Sequence, residues 1–304
     1  MKGLVDADIL VFRSGFAAER NQWHLEVDKT RTGEVFTGVF EYKKDAVAKL
    51  NEVLPGIHSR VEGEDYAMWP ERNLEPIENA FHNVNTAMAK IMEDCDLSEF
   101  DIHCYLSGDK NFRYDVAKTL PYKGNRDKTH RPTYEPEIRQ FMRSKWETTI
   151  TDGIEADDAL GIAQCASDEE TCIISIDKDL DMIPGLHYNF MQQVHYEITP
   201  EQAWKKFCVQ VLMGDTTDNI PGLPKIGVKK AEKMLDGLPQ EEWLEEVARQ
   251  YMAKSERLDW FEYLQEQAAL IWIRREDTDA SVIPESLRDL GGDDYATVET
   301  SLFS

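Results

Sequence analysis

The sequence predicts an α/β protein with a mostly parallel central sheet flanked by helices, followed by a helical C-terminal region. Three observations predict it. Strand-like and helix-like stretches alternate from the first residues to about residue 199, as parallel strands joined by helical crossovers do. Three short apolar runs, beginning at Gly3, Ile102 and Cys172, each lead into aspartate, and open α/β sheets place ligand sites at the carboxyl ends of strands. From Pro200 to about residue 275 the apolar residues recur mainly at helical spacing.

Gly3-Leu4-Val5 ends in Asp6, with Asp8 two residues on, and Ile9 to Ala18 follows as a helix. Residues 19–72 read as a surface insertion. Within it Leu25 and Val27, then Val35, Thr37 and Val39, alternate around a polar turn as a hairpin does. Lys43 to Leu54 is helical and stops at Pro55-Gly56, and Glu62, Glu64 and Asp65 form a solvated loop. Leu74 to Cys95 is a helix, in which Ile77, Ala80, Phe81, Val84, Met88 and Ile91 keep helical spacing. Asp101 to Asp109 is a second strand, ending in Asp109, and His103 within it is a core or edge residue. Residues 112–150 make a basic segment, in which Pro136 suits the first turn of a helix running to about Trp146.

Gly153-Ile154-Glu155-Ala156-Asp157-Asp158 opens a short helix, and the three-residue spacing puts Glu155 and Asp158 on one side of it. Cys172 to Ile176 is a near-continuous apolar run, as expected of a strand covered on both faces, and Asp177 and Asp179 follow. Short strands between Met182 and Tyr196 lead to a helix over Pro200–Met213. A tight turn over Pro221–Gly227 precedes a helix over Val228–Leu235. Residues 240–275 are helical, with Trp243, Trp260 and Trp272 as core residues, and 276–304, with eight acids and one arginine, is a solvated tail.

Composition bounds the function. Of 304 residues, 34 are basic and 58 acidic, a net charge of −24. Such a body repels phosphate, so any nucleic-acid site must be a local basic patch. The stretch from Lys123 to Glu147, with seven basic residues against four acidic, is such a patch. Cys95, Cys104, Cys165, Cys172 and Cys208 are scattered and read as reduced thiols, which points to the cytoplasm. Asp6 and Asp8 interrupt any signal-peptide pattern, and no apolar run approaches a membrane span, so no membrane partner is expected.

Glu155, Asp157 and Asp158, and then Asp177 and Asp179, are brought together by one helix and one strand, and would repel each other without cations between them. Asp6, Asp109, Asp215 and Asp218 are further candidate ligands. Oxygen donors without His or Cys suit Mg²⁺ or Mn²⁺. Either cluster alone has a plainer reading, since acids favour helix starts and Asp favours turns. Acids at the same end of three strands argue against that reading. Arg113, Tyr122, Lys123 and Arg126 place basic groups beside an aromatic, as a single-stranded nucleic-acid contact requires. Gly222 and Gly227 allow close backbone approach at a helix N-terminus, and Lys225, Lys229 and Lys230 add charge there, so these are candidate DNA-binding residues.

Taken together, four stretches resemble the flap endonuclease/5′-nuclease family, which includes the 5′-nuclease domain of bacterial DNA polymerase I and phage 5′→3′ exonucleases. They are Tyr122-Lys123-Gly124-Asn125-Arg126, Gly153 to Asp158, Asp177-Lys178-Asp179, and Met213-Gly214-Asp215 through Asn219-Ile220-Pro221-Gly222 to Gly227. The resemblance covers Gly3–Ala18 and Asp101–Leu235 and implies the PIN-like 5′-nuclease fold. It implies a nuclease domain at 1–199, in which the basic segment at 112–150 is arch-like, and a DNA-binding region at 200–304 containing a helix–three-turn–helix. It also implies two or three Mg²⁺ or Mn²⁺ ions on Asp6, Asp109, Glu155, Asp157, Asp158, Asp177, Asp179, Asp215 and Asp218. Lys123 and Arg126 would meet the scissile phosphate, and the 221–227 turn would grip duplex backbone and hold K⁺. The expected substrate is DNA with a 5′ end, flap or nick, or an RNA–DNA hybrid. Asp8 has no firm place in the family pattern. Two other readings are a haloacid-dehalogenase-like phosphatase, whose opening Asp6 and Asp8 mimic, and a noncatalytic DNA-binding relative.

Overall fold

The computed structural model describes residues 1–27, 35–55, 60–126 and 131–277. Of these, 1–9, 89–126 and 143–277 form one compact unit, and 10–88 with 131–142 form another. In chain order the elements are β1 (Lys2–Asp6), α1 (Ala7–Ala17), β2 (Glu19–Val27), β3 (Phe36–Phe40), α2 (Lys43–Val53), β4 (Tyr66–Leu74) and α3 (Ile77–Cys95). Then come β5 (Ile102–Leu106), α4 (Arg113–Val116), α5 (Glu135–Lys145), β6 (Glu147–Ile150), α6 (Ala156–Ala166), β7 (Thr171–Ile174), β8 (Gly185–Asn189) and β9 (Val194–Ile198). Four helices follow: α7 (Pro200–Met213), α8 (Val228–Leu235), α9 (Trp243–Lys254) and α10 (Trp260–Ile271).

The first unit is built on a six-stranded sheet in the order β6-β5-β1-β7-β8-β9. The first five strands are parallel and β9 runs antiparallel to β8. The chain lays β1, adds β5 and β6 on one side, then returns to lay β7 on the other. That reversal opens a crevice at the carboxyl ends of β1 and β7, where open α/β sheets bind ligands. Both strands are apolar throughout their centres because both faces are covered: Val5, Ile173 and Ile174 are fully buried.

Helix α7 begins at a full capping box. Thr199 Oγ1 accepts from the Gln202 amide at 3.1 Å, Gln202 Oε1 accepts from the Thr199 amide at 2.8 Å, and Pro200 takes the first helical position. Phe207 and Leu212 of α7, Leu235 of α8, Tyr251 of α9 and Leu264 of α10 share one core with Leu4, Leu160 and Ile173. Residues 200–273 are therefore not a separate domain, and the boundary expected at 199 is not a break in packing.

The second unit has its own sheet, β3-β2-β4, antiparallel throughout. Leu25 and Val27 of β2 pack with Leu50 of α2 and Leu54 in a small core. The stretch expected as a surface insertion thus has its own buried centre, and the Tyr66–Leu74 strand was not foreseen. The hairpin turn, Gly56, Asp127 and Lys128 of the basic stretch, and all but the first two residues of the acidic tail lie outside the described residues.

Candidate metal centre

Asp6 closes β1 and is 3% exposed. Just past β7, the Ser175 hydroxyl donates to Asp6 Oδ2 at 2.7 Å, while Ser175 Oγ accepts from the Asp177 amide at 2.9 Å. A single hydroxyl thus ties together the ends of the two central strands. Asp177 Oδ1 accepts from the Asp179 amide at 2.8 Å and starts a 3₁₀ turn over Lys178–Met182. On the other side of β1, Asp8 Oδ2 accepts from the Ser107 amide at 2.8 Å, and Ser107 Oγ accepts from the Ala156 amide at 3.0 Å. The start of α6 is thereby fastened to the end of β5.

The acids brought together here act on one another. Burial pushes the Asp6 carboxyl up to about 7, and the carboxylates of Asp8 and Asp177 add to that against the Ser175 hydrogen bond. Burial holds Asp157 well above the usual carboxylate range, with further pressure from Asp6, Asp177 and Glu155 opposed by Lys123. Asp179 is raised by burial and then by Asp177 and Asp215, against the Gln210 hydrogen bond and Lys206. Two overlapping groups result. Asp6, Glu155, Asp157 and Asp177 make one, Asp177, Asp179 and Asp215 make the other, and Asp177 belongs to both.

Basic side chains rim the acids. Lys123 Nζ is hydrogen-bonded to Glu155 Oε1 and lies 3.8 Å from Asp218 Oδ2, and Arg126 pairs with Asp218 Oδ1. Lys206 Nζ lies 3.6 Å from Asp179, whose Oδ1 also accepts from Gln210 Nε2 at 3.0 Å. The turn carrying Lys123 and Arg126 is stitched to the loop carrying Asp215 and Asp218. The Lys123 amide donates to the Asp218 carbonyl at 2.9 Å, and Asn219 Nδ2 donates to the Pro121 carbonyl at 2.9 Å. Asp215 Oδ1 accepts from the Thr217 amide at 2.7 Å, which shapes that loop.

The donor set fits a hard divalent cation: every donor is an oxygen, and burial and mutual repulsion hold Asp6 and Asp157 above the usual carboxylate range. Among the described residues no three acids converge tightly enough to grip an ion as they stand. Glu155, Asp218 and Asp179 instead turn oxygens toward Lys123, Arg126 and Lys206.

Several expectations need correction. Glu155 and Asp158 share a side of α6 as expected, the Glu155 amide donating to Asp158 Oδ2 at 3.1 Å, but Asp158 has a different partner there. Asp158 is fully buried. Its two oxygens take a bidentate pair from Arg113 at 2.6 and 2.9 Å and also accept from the Glu155 and Arg274 amides, so all four acceptor sites are in use. Burial alone would raise Asp158, but Arg113 outweighs it and holds the carboxyl below the usual range. Arg113 itself is 2% exposed and cannot reach DNA. Tyr122 is 4% exposed, so it offers no stacking face. Its hydroxyl reaches Glu155 Oε2 at 2.9 Å and Asp218 Oδ2 at 2.8 Å, a proton between two acceptors.

Asp109 lies three residues beyond the end of β5 and is exposed. It is not among the acids acting most strongly on Asp6 or Asp157, whereas Asp8, which fitted no motif, is. Gly222 is turned inward: its amide donates to Gln267 Oε1 at 3.1 Å and its carbonyl accepts from the Tyr263 hydroxyl at 2.8 Å. Gly227, Lys225, Lys229 and Lys230 are exposed around the start of α8, and the Lys230 ammonium donates to the Lys225 carbonyl at 2.9 Å. Ser175 was missed altogether. Its signal was present, since it is the one hydroxyl inside the apolar run from Cys172 to Ile176.

No family model matches the chain. It is 34% identical over 140 residues to a 5′-3′ exonuclease of Buchnera aphidicola subsp. Schizaphis graminum, covering 41% of this chain and 48% of that protein. It is 31% identical over 182 residues to DNA polymerase I of Bacillus subtilis, covering 52% of this chain and 20% of the polymerase. The chain thus spans less than half the length of these two relatives. Among solved structures it resembles T5 5′-exonuclease with divalent metal ions (zinc) bound. The TM-score there is 0.53 at 15% identity, over 96% of this chain and 97% of that one, a likeness of fold. By sequence, then, the chain is a relative of the 5′-3′ exonucleases and of DNA polymerase I, the relationship to which its motifs pointed.

Proposed function

We propose that the chain is a metal-dependent 5′→3′ exonuclease and 5′-flap endonuclease that hydrolyses DNA phosphodiesters. The observation that carries this reading is the crowding of Asp6, Glu155, Asp157 and Asp177 at the switch point of the sheet, with Lys123 and Arg126 beside them. Two Mg²⁺ or Mn²⁺ ions on Asp6, Glu155, Asp157, Asp177, Asp179 and Asp215 would supply Lewis-acid activation of water and charge neutralisation at the phosphate. The chain's residues do the rest. Ser175 keeps Asp6 and Asp177 in register across the crevice. Lys123 and Arg126 leave Glu155 and Asp218 for the phosphate oxygens and balance the charge that develops there. Tyr122 holds Glu155 and Asp218 at a fixed separation. The exposed lysines at the start of α8 contact the duplex backbone. The K⁺ proposed for the 221–227 turn would compete with the Lys230 ammonium for the Lys225 carbonyl.

We place the activity in a phage DNA-replication or primer-removal setting within the host cytoplasm. The substrate is a 5′ end, flap or nick, with RNA–DNA hybrids as a further substrate. Among the described residues no helix is long and apolar enough to cross a membrane. The test is product sizing on 5′-labelled flap, nicked and blunt DNA with Mg²⁺. Short 5′ products that vanish with chelator support the reading. Release of phosphate alone from a phosphomonoester would favour the phosphatase, and binding without cleavage the noncatalytic relative.

A further inference from the structure

We infer that Arg113 and Asp158 are positioning residues: together with the segment after α10 they form a buried clamp that fixes Glu155 at the metal centre. This rests on the metal-dependent reading above. Arg113 lies at the start of α4 and Asp158 in the first turn of α6, and both are almost without solvent contact. Besides its two bonds to Asp158, the Arg113 guanidinium donates Nε–H to the Leu270 carbonyl at 2.9 Å and Nη2–H to the Trp272 carbonyl at 2.6 Å. Those carbonyls lie at the end of α10, where backbone acceptors have no helical partner. The segment returns the contact, since the Arg274 amide donates to Asp158 Oδ1 at 3.1 Å. It also passes close over α6: a Cβ on Gly161 would lie 2.3 Å from the Arg274 carbonyl, so only glycine fits there. Arg113 and Arg274 both lie over the Phe112 ring, at 4.7 and 4.6 Å from its centre.

The clamp reaches the metal centre through Glu155. Asp158 Oδ2 accepts from the Glu155 amide at 3.1 Å, which sets the backbone from which the Glu155 side chain projects. Arg113 Nη1 lies 3.4 Å from Glu155 Oε2, the oxygen that also takes the Tyr122 hydroxyl. Every acceptor site of Asp158 is filled, and Glu155 links the pair to the crevice. Such outer contacts to a metal-binding carboxylate are typically worth about 10- to 100-fold in metal affinity or activity.

The test separates positioning from plain stability and from ligation. Asp158→Asn leaves Arg113 buried without a counter-charge and can fail to fold. The main variant is therefore the double Arg113→Met/Asp158→Leu, which replaces the pair by apolar groups of similar size, a change that proteins often tolerate. Arg113→Lys, which keeps the charge but loses the fork, is the second. Mn²⁺ binding to the full chain is followed by electron paramagnetic resonance, with thermal unfolding in parallel. The expected result is a folded double variant that binds the same number of Mn²⁺ ions about 10- to 100-fold more weakly, with Arg113→Lys between it and the parent. Mn²⁺ affinity equal to the parent's in both variants overturns the proposal, because the clamp is then structural only. Loss of one bound ion at unchanged affinity for the others also overturns it, because Asp158 is then a ligand. If the double variant does not fold, Arg113→Lys decides by the same readout. Mn²⁺ binding needs no substrate, so a parent chain that binds Mn²⁺ but cuts no DNA defeats the functional reading and leaves this one to be judged separately.

Discussion

Asp157 and Asp158 are neighbours in sequence and sit in the same helical turn, yet they face opposite electrostatic surroundings. On one face of α6, Asp157 looks into a crevice of other acids and is pushed well above the usual carboxylate range. On the other face, Asp158 is also buried but meets a guanidinium fork and is held below that range. Burial raises both, so depth alone does not decide the outcome. The partner does. A carboxylate already satisfied by a buried arginine has become part of the framework. One left among like charges is a site waiting for a cation.

Exchanging the two acids for amides is the strongest way to break this comparison. Asp157→Asn should lower cleavage by several kcal/mol of transition-state stabilisation, about 10³-fold or more, while the fold loses nothing because a repulsion is removed. Asp158→Asn should instead cost about 3–5 kcal/mol of stability by stranding Arg113. Cleavage rates and urea midpoints on both variants check this. Two variants alike in both assays would erase the distinction between the faces. Lys123→Ala should slow single-turnover cleavage by roughly 10²-fold with little change in DNA affinity, if its ammonium acts on the phosphate. A loss seen only in binding would remove it from the chemistry.

The pH dependence of the metal-free protein sharpens the comparison further. In the fold, Asp6 keeps its proton up to about 7, against about 4 for an ordinary aspartate. Between those values the folded state binds more protons, so this group's contribution is full below about 4 and is lost as the pH rises through about 7. Asp158 has the opposite sign: its contribution is present above the usual carboxylate range and is lost as the pH falls through its lowered value. Urea midpoints should therefore decline from about pH 5 to about pH 8 in chelator, and Mg²⁺ or Asp6→Asn should flatten the decline. A decline that survives Asp6→Asn would show that other groups cause it. The smallest effect is expected far from the acids. Replacing Lys229 and Lys230 together by alanine should reduce the salt slope of duplex affinity by about 0.9 for each phosphate no longer neutralised. Cutting of a short single strand should be unchanged, and an equal loss on both substrates would place these lysines at the crevice.

Sequence reading reached the first unit better than the second for a physical reason. β1, β5 and β7 are covered on both faces, so their apolar runs stand out, and the acids behind β1 and β7 mark the crevice. β4 carries Pro70, Glu71 and Arg72 and is largely exposed, as befits the edge of a three-stranded sheet, so its residues read as loop. At the site, acidic character was legible and orientation was not. Nothing in Asp157-Asp158 says which acid turns inward, because the answer lies in Arg113, 45 residues away. Tyr122 and Gly222 were misread for the same reason: their side chain or backbone is taken up by partners that only the fold brings near.

The loop that carries Asp215 and Asp218 closes on itself at two glycines. A Cβ on Gly214 would lie 2.3 Å from the Ile220 carbonyl, and one on Gly222 would lie 2.3 Å from the Gly214 amide. Asp215 and Ile220 exchange both backbone hydrogen bonds at 2.7 Å just inside that neck. Mechanically, the loop is a drawstring bag pulled shut: its mouth admits no added atom, so the two acids hang from one closed neck. A side chain at either glycine would tilt the loop and displace both carboxylates at once. Gradual adjustment of one acid through its backbone is thus closed off, and divergence here should proceed by exchanging the loop whole.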